Sequence, residues 1–148
     1  MKIGSISLGS LLCLALLCGH YASVLAEPPD TKPSVITSAS PEDKTIGCDI
    51  NTPISITFSA EMEPSTLNTG TFHLYRIDNA EEIIVPGNVT YDADSRTASF
   101  IPSSDLSYAT NYRLVIEGNV KDASGNALES DDSWRFTTKN SVGGCGGS

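Results

Sequence analysis

Histidine is almost absent from this chain, with only His20 and His73 among 148 residues. A Ser-His-Asp or Cys-His centre needs an imidazole held by a carboxylate and touching a nucleophile. His73 lies between Phe72 and Leu74 in an alternating stretch, which predicts a ring turned to solvent. Cations are also scarce, nine lysines and arginines against eighteen acids. Such a surface repels phosphate backbones and anionic lipid, so nucleic-acid and membrane-surface binding are excluded as functions. No glycine loop has phosphate-cradling spacing, and Cys48 and Cys145 lie too far apart, with no histidine pair, to read as a zinc site. Carboxylates for glycoside hydrolysis are plentiful, but nothing places two across a cleft. The sequence therefore assigns no catalytic residue and reads as a non-enzyme.

Long apolar runs are missing except at the start. Met1-Lys2 precedes an apolar stretch from Ile6 to Leu17, followed by Ser23-Val24-Leu25-Ala26 ahead of Glu27-Pro28-Pro29. That pattern is a secretory signal peptide over residues 1–26, with Val24 and Ala26 at the small-residue positions. The rival is a membrane anchor, but the run falls short of the roughly 20 residues a spanning helix needs. Lipid anchoring would need small residues before Cys13 or Cys18, and each follows two leucines. Cleavage after Ala26 leaves one domain's worth of chain carrying eight cations and eighteen acids, with no membrane insertion expected.

Residues 27–32 have the proline-rich, polar composition of a linker and residues 139–148 that of a glycine-rich flexible tail. Between them, over 33–138, apolar residues recur at every second position. Ile54-Ser-Ile56-Thr-Phe58, Phe72-His-Leu74, Val89-Thr-Tyr91, Ala98-Ser-Phe100, Tyr112 to Ile116 and Trp134-Arg-Phe136 all alternate. Period two buries one face of a strand and wets the other. Turn sequences such as PEDK, DADSR and DASGN interrupt before helical spacing can build, so short strands at this rhythm predict an all-β sandwich or barrel. The predicted core joins Ile54, Ile56, Phe58, Phe72, Leu74, Phe100, Leu114, Ile116, Trp134 and Phe136. Each buried side chain of this kind contributes about 1.5–3 kcal/mol, so the fold needs no metal or cofactor. The outward positions Ser55/Thr57, His73/Tyr75 and Arg113/Val115/Glu117 are polar with scattered apolar groups and predict no contiguous apolar partner surface.

Three blocks in order, ITFSAEMEPSTLNTGTFHL, VTYDADSRTASFIPSSDL and YRLVIEGNVKDASGNAL followed by WRFTT, resemble the bacterial Ig-like domains of the S-layer SbsA type. The resemblance implies an immunoglobulin-like two-sheet Greek-key sandwich of the kind found in secreted and surface proteins. It also implies that Met62 and Leu67 plug the core from the loop after the second strand. Tyr112, opening a late strand, has the spacing of a tyrosine whose hydroxyl bonds nearby backbone, a structural residue like Trp134.

One loop has two readings. Asp122, Ser124 and Asn126 set oxygen-bearing side chains at alternate positions around Gly125, as calcium loops do, but the bidentate acid at its proper distance is missing. The other reading is a turn in which Asp122 bonds its own backbone. In a sandwich of this order, Glu61, Glu63, Asp122, Asp131 and Asp132 should gather at one pole, where they could take calcium or dock a neighbouring domain.

The same order places Cys48, in the turn after the first strand, beside the end of the last strand. Cys145 then reaches it on its glycine leash to form a Cys48–Cys145 disulfide. Intermolecular pairing through Cys145, giving a covalent dimer, is the rival. The functional expectation is an exported, non-catalytic adhesion, recognition or spacer module, secreted, periplasmic or at the cell surface, with a protein or glycan there as partner. The alternative is a calcium-dependent carbohydrate- or protein-binding protein using the acidic pole.

Overall fold

The computed structural model describes residues 30–141. The signal-peptide reading, residues 27–29 of the linker and Cys145 fall outside the described residues.

Nine strands form two sheets: β1 (Ile36–Ser40), β2 (Thr45–Cys48), β3 (Ile54–Phe58), β4 (Phe72–Asp78), β5 (Glu81–Ile84), β6 (Gly87–Asp92), β7 (Thr97–Pro102), β8 (Asn111–Ile116) and β9 (Asp132–Thr138). One sheet has the order β1-β3-β7-β6 and the other β2-β9-β8-β4-β5. Every pairing is antiparallel except β2 with β9. This is the immunoglobulin-like sandwich, and its core lies between the sheets as the alternation requires. Ile54, Ile56 and Phe58 meet Phe72, Leu74, Leu114, Ile116 and Phe136 there, all at most 2 % exposed. Met62 and Leu67 close the core from the loop after β3, which includes a short 3-10 turn at Pro64–Thr66.

Trp134 faces the core as expected but falls short of full burial. It packs against the core only partly buried, because β2 begins opposite Phe136 and leaves the flank of β9 beside Trp134 uncovered. Cys48 departs from its expected place, since it ends a strand of its own rather than sitting in a turn. After Pro41 the chain crosses to the second sheet, where Lys44 N donates to Arg135 O at 2.6 Å and Arg135 N to Asp43 Oδ1 at 3.0 Å. β2 then follows β9 in parallel, with an irregularity at Gly47, whose φ is +82°. The predicted neighbours do meet: Cys48 pairs with Thr138, and its carbonyl accepts from Lys139 N at 2.8 Å.

Candidate binding surfaces

The loop from Val120 to Leu128 turns on Asp122, which is 3 % exposed. Its Oδ1 accepts from the backbone N–H groups of Ser124 and Asn126, both at 2.9 Å, and its Oδ2 accepts from Asn126 Nδ2 at 3.2 Å. Gly125 supplies the positive φ of +90° and donates to Asp122 O at 2.9 Å. The carboxylate lone pairs a cation would need are turned into the loop's own backbone, so the geometry at Asp122, Ser124 and Asn126 is that of the self-bonded turn.

The pole around that loop assembles as the topology requires. Met62 and Asp122 form an isolated bridge, Glu63 N donates to Lys121 O and Ala123 N to Glu61 O, both at 2.9 Å. Asp131 Oδ1 accepts from Gly118 N at 2.7 Å. Glu61, Glu63, Asp131 and Asp132 all lie exposed there. Among the described residues, no three His, Cys, Asp or Glu side chains come close enough to share a metal ion.

Tyr112 is 2 % exposed, stacks on Phe136 with ring centroids 5.4 Å apart, and receives a hydrogen bond from Ser107 N at 2.8 Å. His73 is on the outer face, as alternation requires, but its side chain is only 13 % exposed. Its Nε2 lies 3.1 Å from Gly70 O and 3.5 Å from Glu117 Oε1, and the Tyr75 ring covers one side at 5.8 Å. Burial pushes the Cys48 thiol above its ordinary pKa.

The two outer sheet faces differ sharply. On the four-stranded sheet the outward positions are Ser55, Thr57, Thr90, Thr97 and Ser99, and the hydroxyls of Thr57 and Thr97 lie 3.0 Å apart. Ile101, 54 % exposed, is the large apolar exception. On the five-stranded sheet one row crosses four strands as Ile84, Tyr75, Arg113 and Arg135. A second row runs Ile77, Asn111, Thr137 and Ile46. Ile46 is 82 % and Ile84 58 % exposed. A depression of 340 Å³ lies along the second row, with Lys44 and Arg135 on its rim. Ile46 and Ile84 stand on opposite edge strands with polar positions between them, so the apolar groups of this face are scattered, as expected, although they are large and well exposed. Register across five strands gathers residues that no single stretch of sequence shows together.

A family model for bacterial Ig-like domains matches residues 30–138. The chain belongs to that family. Among solved structures, the Ig-like domain resembles PcoC, a methionine-rich copper resistance protein from Escherichia coli. The TM-score is 0.60 at 17 % identity, over 73 % of this chain and 100 % of that one. It is similar to CopC from Methylosinus trichosporium OB3b, with TM-score 0.56 and 17 % identity, over 73 % and 95 % of the two chains. The N-terminal part of the bacterial S-layer protein SbsC superposes with TM-score 0.53 at 17 % identity, over 88 % of this chain and 27 % of that one. Likeness at this identity is likeness of fold. No curated protein matches the chain.

Proposed function

We propose that this Ig-like domain is exported and acts outside the cytoplasm as a non-catalytic recognition or spacer module in an envelope or surface assembly. The supporting observation is the family match over residues 30–138 behind an N-terminal stretch with signal-peptide composition. The likeness in fold to an S-layer protein fits a surface setting, and the resemblance of the sequence blocks to the SbsA type points the same way. Copper handling, suggested by the name of PcoC, has less support. This chain has two methionines, and Met62 is buried at 1 % as a core plug. The calcium-dependent reading loses ground for the same kind of reason, since Asp122 spends its carboxylate on its own loop.

The test is fractionation of the native host followed by N-terminal sequencing and intact mass. A chain beginning at Glu27 in the extracytoplasmic or surface fraction supports the reading. A full-length chain beginning at Met1 in the cytoplasm overturns it.

A further inference from the structure

We propose that the outer face of the five-stranded sheet docks a protein partner whose surface presents carboxylates among apolar side chains. The argument begins with two arginines. Arg113 on β8 and Arg135 on β9 are directly opposite each other in the antiparallel ladder. Like charges opposite one another across strands destabilise a sheet unless something neutralises them. Arg113 has its carboxylate, Glu82 on the far side, with Nη1 to Oε1 at 2.8 Å. The Arg135 guanidinium has neither hydrogen bond nor ion pair among the described residues, although its own amide bonds Asp43. In a chain with twice as many acids as bases, this face keeps an uncompensated cation beside a second one.

The surroundings of that cation decide what kind of anion fits. Tyr75 flanks Arg113, Ile84 extends the row at one end, and Ile46 and Ile77 border the 340 Å³ depression that Arg135 overhangs. Arginine and aromatic residues beside exposed aliphatic ones are the composition of a protein–protein contact. Five strands about 4.8 Å apart, the three central ones six or seven residues long and the two edge strands four, make a face roughly 24 Å wide. It narrows from about 20 Å to about 14 Å in height at its edges, at the small end of specific protein contacts. A carboxylated polysaccharide would use the guanidinium and leave Ile46 and Ile84 wet. An acidic protein surface with apolar side chains uses both. The opposite sheet, faced with serine and threonine around Ile101, offers no such pair of arginines.

The assignment rests on the reading of the chain as a binding module, and its test is independent of where the chain resides. The 15N-labelled chain is titrated with a random glutamate–tyrosine copolymer, with hyaluronate as the carboxylated but non-protein control. Saturable shift changes at Tyr75, Ile84, Arg113 and Arg135 are expected. Arg135→Glu should weaken binding about tenfold or more, while Lys121→Glu, the same change of charge at the acidic pole, should leave it within about twofold. Arg135 is exposed, so the substitution spares the core. Absent binding, shifts on the other sheet, equal loss with Lys121→Glu, or hyaluronate binding as tightly would each overturn the proposal.

Discussion

The backbone N–H of Ser107 donates to the Tyr112 hydroxyl at 2.8 Å, tying the loop before β8 to the strand that follows it. The same loop is held from the other side by Thr138, whose Oγ1 donates to Ser107 O at 2.6 Å and accepts from Thr110 N at 3.0 Å. Two buried side chains on neighbouring strands thus shape one loop. Tyr112→Phe keeps the stacking on Phe136 and removes only the hydrogen bond. It should cost about 1–2 kcal/mol in urea unfolding, with the native fold retained. No measurable loss would show that water replaces the hydroxyl.

Asp122 makes a different kind of prediction. Replacing it with alanine strips two backbone donors and one amide of a charged acceptor, which should cost about 2–3 kcal/mol. Because those lone pairs are satisfied internally, adding calcium or a chelator should leave the melting temperature of the unmodified chain unchanged. A rise with calcium, abolished in Asp122→Ala, would restore the calcium reading.

Gly87 opens β6 where the two sheets approach. A Cβ there would lie 2.5 Å from Phe100 Cζ and 2.7 Å from the Ile101 carbonyl, of which the backbone oxygen cannot step aside. Gly87→Ala should therefore destabilise by about 1–3 kcal/mol through overpacking. Gly125→Ala is a test of a separate cause, since a Cβ there meets open space and only the positive φ of +90° resists it.

The cysteines can be read by mass and alkylation. Cys48 lies beside the outgoing chain, Lys139 N donating to its carbonyl at 2.8 Å, so the tail starts its run to Cys145 from the right place. The oxidised monomer should weigh two hydrogens less than the reduced one and resist alkylation. Closing a loop near 100 residues adds up to about 4–5 kcal/mol in chain-entropy terms, less where the tail moves freely in the native state. After reduction, Cys48 should alkylate slowly at neutral pH, because burial raises its pKa and thins the thiolate. A disulfide-linked dimer would instead assign Cys145 to a partner.

Much of the fold was legible in the linear chain. Alternation in Ile54–Phe58, Phe72–Leu74 and Leu114–Ile116 named buried faces that are buried, and the spacing before Tyr112 anticipated its backbone bond. β2 and β5 were not legible, because Thr45–Cys48 and Glu81–Ile84 lie at sheet edges where no buried face imposes a period. The turn at Asp122 and a calcium loop share one residue pattern, and only the direction of the carboxylate separated them.

By itself the sequence determined what local chemistry can determine: an all-β domain built on period-two strands, turns at glycine and aspartate, a chain poor in histidine and in cations. Tertiary structure decided what depends on register between distant strands. It opposed Arg113 to Arg135, put Ile46 and Ile77 at the two ends of one row across four strands, and left one outer face mainly hydroxylated and the other with paired arginines among exposed isoleucines. The physical reason is that side-chain direction follows from a residue's own strand, whereas its neighbours on a face follow from pairings up to some ninety residues apart.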